Sequence, residues 1–167
     1  MIYWKLSITF VSNINTMTNF KNIKVILLSL VLTLFSLNVK AQNSYISNNK
    51  ILANALSQEF GIPSSVILAI AFVESGGGTS KNSKAFNNHF GIVGKNNVNG
   101  SKYKSFASAE ASFRGFCEMI ARKKYYSKLK GSVNHTQWLS AISSAGYSTQ
   151  PKEWLRRVNL IINKFNL

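Results

Sequence analysis

The chain has 167 residues, 46% of them hydrophobic, which is enough for one globular domain with a usable core. Twenty Lys and Arg against five acidic residues give a net charge of +15, a balance that suits a polyanionic partner. One cysteine excludes a disulfide framework, and two distant histidines with no Asp leave no metal-ligand cluster and imply no metal cofactor.

Lys21 and Lys24 precede an apolar run from Val25 to Leu37, too short to span a bilayer comfortably. Val39-Lys40-Ala41 follows, with modest side chains at the positions a signal peptidase reads. The pattern predicts a signal peptide over residues 1–41, cut between Ala41 and Gln42, with Met17 as an alternative start. No Cys lies near Ala41, so lipid anchoring is not indicated. An uncleaved membrane anchor is the competing reading, and the small-residue site argues against it. Four of the 20 basic residues precede the cut and all five Glu follow it, so the mature chain would carry +11. Export argues against nucleic acid as the partner and for an anionic cell-wall polymer. A solvated basic surface with no specific partner is the bland alternative.

Residues 42–49 are polar and read as a short linker, with the folded domain over 50–167. Asn48 or Asn49 is the expected cap of a first helix with Leu52, Ala55, Leu56 and Phe60 inward, stopped by Gly61. Pro63 opens a second helix. Eight apolar residues in a row, Val66 to Val73, carry it to Glu74 and Ser75, and the glycines from Gly76 to Gly78 end it. A helix apolar on every side is a buried one. A loop follows, with one helical turn near Lys81 to Ala85. Asn99-Gly100 is a type I′ turn signal, and it predicts a small hairpin from Phe90 to Phe106, with an irregular Asn/Gly loop as the alternative.

Ser108 caps a helix reaching about Lys124, with Phe113, Phe116, Cys117 and Ile120 on its inner face. Asn134 or Thr136 starts another, carrying Trp138, Leu139 and Ile142 and ended by Gly146. The last helix, Lys152 to Asn166, turns Trp154, Val158, Ile161, Ile162 and Phe165 to one side. The class expected is mainly α, formally α+β, with one small hairpin.

Glu74 is the odd residue in this plan. The C-terminal end of a helix favours Lys or Arg, not a carboxylate. Apolar surroundings and the negative helix end both disfavour its charged form and raise its pKa. A carboxyl group that keeps its proton near neutral pH is what a general acid needs. The bland reading is a helix-end glutamate reaching solvent.

Several motifs stand in order along the chain. They are Gly61-Ile62-Pro63, Glu74-Ser75-Gly76-x-Gly78-x-Ser80, Asn87-Asn88-x-Phe90-Gly91-Ile92, Tyr103 to Phe106, Ser108-x-Glu110-x-Ser112 and Ala145-Gly146-Tyr147-Ser148-Thr149-x-Pro151. As a set they resemble glycoside hydrolase family 73, the N-acetylglucosaminidases that include autolysin glucosaminidases and the flagellar rod-type peptidoglycan hydrolase domain. The resemblance covers roughly residues 48–167. It implies a lysozyme-like helical domain with a small β lobe around a glycan groove. It also implies cleavage of peptidoglycan strands at the β-1,4 bond following N-acetylglucosamine, in the periplasm, the cell envelope or outside the cell, with no cofactor and no stable membrane insertion. Glu74 falls on the family's catalytic acid and Tyr147 on a tyrosine important at its active site. Ser75, Gly76, Asn88, Phe90 and Thr149 are the candidate substrate-binding residues. A phenol at position 147 can hydrogen-bond an N-acetyl group and offer an apolar ring face. The bland alternatives are a turn tyrosine at 147 and scaffold roles for Asn88 and Phe90.

Two departures from the family matter. Gly77 stands where the family often has Trp, and no acidic residue lies between Glu74 and Glu110. A glycosidase with two carboxyl groups needs them about 5–5.5 Å apart for retention or about 6.5–9.5 Å for inversion. The expectation is a single essential carboxyl group, Glu74, assisted by the substrate's 2-acetamido oxygen, with Glu110 as the remaining candidate for a second. A lytic transglycosylase and a catalytically impaired wall-binding module are the competing readings.

Overall fold

The structure is a computed structural model describing residues 3–96 and 100–167, with side chains described over 22–34 and from 42 onward. The chain divides into two compact units, Met1–Ala41 and Gln42–Leu167. A first helix, α1, spans Tyr3–Phe60. Among its described side chains in the first unit, Val25, Leu28 and Leu32 are each more than half exposed. Among the described residues no helix is long and apolar enough to cross a membrane.

The second unit is built around α2, Ser64–Ser75. Every residue from Val66 to Val73 is buried. Such a helix needs cover on all sides. The end of α1, α4 (Ala109–Ala121), α6 (His135–Ser144) and α7 (Pro151–Phe165) supply it, and α2 packs most extensively against α7. Two short helices, α3 (Lys81–Phe86) and α5 (Tyr126–Leu129), complete the unit. Side-chain caps fix three of the helix starts. Ser80, Ser108 and Asn134 accept from the backbone N–H of Ser83, Ala111 and Gln137 at 3.2, 3.1 and 3.1 Å. Each such cap is worth about 1 kcal/mol. Pro63 itself serves as the cap of α2, one place earlier than its expected position inside the helix. Cys117 is buried in the core with its thiol pKa pushed up to about 12 by burial.

Two expectations are corrected. Residues 42–49 are not a linker but part of α1, and no cap forms at Asn48 or Asn49. Tyr45 and Ile46 are buried with Ala53 and Leu56 along one helical stripe, whereas Ala55 is exposed. Asn43, Ser44, Ser47 and Asn48 are exposed off the stripe, and the octet's polar composition hid its two apolar members. The small β-hairpin lobe is also not seen. Among the described residues there is no strand, only one antiparallel bridge between Val93 and Tyr103. It is closed by Gly94 N–H to the Lys102 carbonyl at 2.9 Å and Lys104 N–H to the Ile92 carbonyl at 2.8 Å. Asparagine side chains take carbonyls around the bridge, among them that of Lys104, while the Ile92 N–H goes to Asn88 Oδ1 at 3.0 Å and not to the facing position. Asn88 Nδ2 donates to Ile92 and Lys104, and Asn96 Nδ2 donates to Ser101 and Tyr103. Of the expected Asn99-Gly100 turn, Asn99 lies outside the described residues, and Gly100 has φ +82°.

Phe116 ties the helical body to this bridge segment. It is fully buried, stacks on Phe90 at 4.2 Å and meets the edge of Tyr147 at 6.0 Å. Phe116→Ala is expected to cost about 3–5 kcal/mol in urea unfolding, the range for a buried Phe truncated to a cavity.

Candidate active site

The chain of α2 ends in a left-handed turn at Gly76, φ +59°, whose N–H caps the Phe72 carbonyl. This brings Glu74 out of the core onto the wall of a cavity of about 330 Å³. Phe90, Ile120 and Ile142 give the cavity an apolar lining, Gly91 and Gly146 present backbone to it, and Tyr125, Tyr147 and Lys123 stand around it. Glu74 is half-buried. Its Oε1 accepts from Trp154 Nε1 at 2.8 Å. Its Oε2 would be the nearest atom to a side chain placed at Gly91, at 3.7 Å, and Gly91 has φ +64°. The glycine therefore leaves the approach to Oε2 open.

Burial raises the pKa of Glu74. The Trp154 hydrogen bond and the Arg157 charge oppose the rise without cancelling it. Arg157 is held near the end of α2 by a hydrogen bond to the Val73 carbonyl at 3.3 Å. Tyr147 is half-buried and donates its hydroxyl to the Phe90 carbonyl at 2.9 Å. Burial first, then the Glu74 charge, push its pKa well above the usual tyrosine value, so it stays a neutral phenol.

Of the candidate residues, Glu74, Phe90 and Tyr147 meet at one cavity. Ser75 does not line it: it is fully buried and its Oγ turns to Tyr45 and the Gly78 N–H. Gly76 lies on a separate, smaller depression beside Arg157 and Leu160. Asn88 is buried with its amide committed to backbone, as scaffold. Thr149 is exposed and does not line the cavity. Gly77, φ +65°, has room for no side chain without crowding the Phe72 ring at 3.1 Å. Among the described residues no group of three His, Cys, Asp or Glu could hold a metal ion.

A family model described as mannosyl-glycoprotein endo-β-N-acetylglucosaminidase matches residues 50–167. The chain belongs to this glucosaminidase family. It is thus a glycosidase by family. No curated protein matches it. Solved structures share the fold. The catalytic domain of the autolysin Auto from Listeria monocytogenes is 19% identical, with a TM-score of 0.64, covering 75% of this chain and 85% of that one. The glycoside hydrolase domain of FlgJ from Salmonella typhimurium, C-terminally truncated, is 20% identical, with a TM-score of 0.61 and coverage of 75% and 97%. A peptidoglycan hydrolase from Sphingomonas sp. A1 is 19% identical, with a TM-score of 0.57 and coverage of 74% and 92%.

Sequence reasoning missed Trp154 and Arg157 as partners of this glucosaminidase's Glu74. The signal for Trp154 was present: a tryptophan on a buried stripe needs an acceptor for its N–H, and Glu74 ends the other apolar helix. Lys123 and Tyr125, beyond the end of α4, carried no spacing signal.

The raised pKa of Glu74 has a consequence for stability. The folded state holds that proton more tightly than the unfolded chain does. Folding stability attributable to Glu74 is therefore full below the ordinary carboxylate pKa and falls as pH rises through the folded one. Glu74→Gln keeps an oxygen for Trp154 and carries no charge. Its Tm at pH 7 is expected about 2–5 °C above wild type, with the gap closing toward pH 4 in calorimetric scans.

Proposed function

We propose that this glucosaminidase is exported and hydrolyses peptidoglycan at the β-1,4 bond following N-acetylglucosamine, with Glu74 as general acid. The observation that carries the reading is the single carboxyl group on the cavity wall, raised in pKa, with one oxygen held by Trp154. The other acids are engaged elsewhere. Glu59 pairs with Arg114 at 2.6 Å, Glu153 with Arg156 at 2.7 Å and Glu118 with Arg122 at 3.9 Å. Glu110 sits in the first turn of α4, where its charge meets the positive helix end.

With one carboxyl group, the nucleophile is best supplied by the substrate. Glu74 gives its proton to the glycosidic oxygen as the C1–O bond breaks. The 2-acetamido carbonyl oxygen closes on C1 to form an oxazoline-type ring. The Glu74 carboxylate then takes a proton from water, whose oxygen attacks C1, reopens the ring and restores the acid. Substrate assistance is a known alternative to the carboxylate pair. The Tyr147 hydroxyl hydrogen is committed to the Phe90 carbonyl, so its oxygen is available to accept the acetamido N–H.

Export is supported by the exposed apolar run after Lys24 and by a boundary between units at Ala41 and Gln42, where the cut is expected. The basic stretch Arg122, Lys123, Lys124, Lys128 and Lys130 suits an anionic wall polymer. Two of the structural neighbours carry related names, an autolysin and a peptidoglycan hydrolase.

A single acid equally suits a lytic transglycosylase, in which an internal sugar hydroxyl replaces water. Product analysis separates the readings. Wild type incubated with peptidoglycan should release new N-acetylglucosamine reducing ends. Glu74→Gln should lower turnover by about 10²–10⁴-fold, the usual worth of a general acid. Glu110→Gln should leave turnover near wild type; if it abolished turnover with Tm unchanged, the single-carboxyl mechanism would fail. Terminal 1,6-anhydro sugars would reassign the enzyme, and binding without release by wild type would make it a wall-binding module.

A further inference from the structure

Tyr45, five residues upstream of the family-matched region, lies beneath the glycine turn that follows Glu74. Its hydroxyl has two side-chain partners, Ser75 Oγ at 3.3 Å and His89 Nδ1 at 2.9 Å. Ser75 Oγ in turn accepts from the Gly78 N–H at 2.8 Å. Gly78 N–H donates to Ser75, Ser75 donates to Tyr45, and the Tyr45 hydroxyl shares a hydrogen bond with His89 Nδ1 whose direction follows the His89 tautomer. Burial lowers the pKa of His89, which favours the neutral ring. The Tyr45 ring is as fixed as its hydroxyl. It meets Phe72 edge-on at 5.7 Å and stacks near His89 at 5.7 Å. A side chain at Gly78, φ +80°, would come within 2.9 Å of it.

The two ends of this chain adjoin two segments that line the cavity. Ser75 is the residue after Glu74. His89 is the residue before Phe90, whose carbonyl receives the Tyr147 hydroxyl. His89 is anchored besides through its own N–H to Ser112 Oγ at 3.0 Å. Tyr45, Ser75 and His89 do not line the cavity themselves.

We propose that Tyr45 is a positioning residue of the glycosidase, clamping the end of α2 that carries Glu74 to the segment that carries the Phe90 carbonyl and Gly91. The proposal rests on the catalytic reading of Glu74 given above. Without the hydroxyl, the buried Nδ1 of His89 loses its partner, Ser75 keeps the Gly78 N–H alone, and the hydrogen-bonded link between the two segments through α1 is broken. A shift of the order of 1 Å between an acid and its substrate is enough to lower turnover by about 100-fold. Processing between Ala41 and Gln42 leaves this clamp in the mature enzyme, whereas a boundary drawn at the family match would remove it.

Tyr45→Phe keeps the ring and removes only the hydroxyl. On soluble peptidoglycan fragments its kcat is expected to fall about 10- to 100-fold, with KM within about twofold of wild type. Ser75→Ala breaks the same chain one link away. It should lower kcat similarly and add little in the Tyr45→Phe background, as coupled residues do. The Trp154 indole N–H resonance, which reports on the Glu74 carboxyl without turnover, should move in both variants. A lower Tm with kcat and that resonance unchanged would overturn the proposal, as would a raised KM at unaltered kcat. Glu74→Gln assayed alongside separates the two claims. If it retained turnover, the catalytic reading would fail, and the Trp154 resonance in Tyr45→Phe would still decide the clamp.

Discussion

The structure turns on a carboxyl group taken partly out of water at the end of a helix that is apolar all round. Burying α2 from Val66 to Val73 releases its hydrophobic surface from solvent and is the largest favourable term near the site. That burial carries Glu74 with it, against the preference of a carboxylate for water and against the helix dipole. The cost is met in part by one hydrogen bond from Trp154. The position of α7 follows from the same need, because its Trp154 must reach Glu74 while Val158, Ile161 and Ile162 are buried in the core cluster. One helix thus covers the core and, through Trp154 and Arg157, moderates the rise that burial gives the Glu74 pKa.

The opposite wall is held by different forces. Segment 88–94 makes only one bridge pair, so a ladder cannot hold it. Asn88 instead accepts from Phe90 and Ile92 and donates to two carbonyls, a satisfied amide used as a spacer. Phe90 is then gripped by Phe113 and Phe116, at 5.0 and 4.2 Å. Its carbonyl accepts from Tyr147, which also packs on Trp154 at 5.4 Å. The aromatic cluster therefore runs from the bridge segment to the partner of Glu74. Movement of either wall would be felt at both ends.

Much of this was legible in the sequence where a periodic signal was strong. The apolar octet, the caps at Ser108 and Asn134, and the stripe of the last helix all lie where their residues predict. Glu74 and Tyr147 meet at the cavity that the motifs implied. What failed had physical causes. The octet 42–49 reads as polar by composition, yet Tyr45 and Ile46 occupy the stripe and are buried. The Asn and Gly residues after Phe90 signal a hairpin turn, but side-chain amides compete for the same carbonyls as a ladder. Ser75, a candidate for sugar contact by its place beside Glu74, faces the other way, because adjacent helix residues point about 100° apart. Trp154 was assigned to the core by its spacing, and only three-dimensional proximity shows the acceptor it finds.

The remaining tension is between charge and acidity. The chain is strongly basic, at +15 over its 167 residues, and nearby positive charge lowers a carboxyl pKa. Yet the raised value survives, and the reason lies in where the cations sit. Lys123, Lys124, Lys128 and Lys130 are exposed, where water and salt screen them. Only Arg157 contributes a resolved charge effect on Glu74, and it is outranked by burial. A basic surface and a raised Glu74 pKa therefore coexist in one fold. Exposed Lys123 shares the cavity with half-buried Glu74, so it is burial of the carboxyl, and not an absence of nearby positive charge, that decides the direction of the shift.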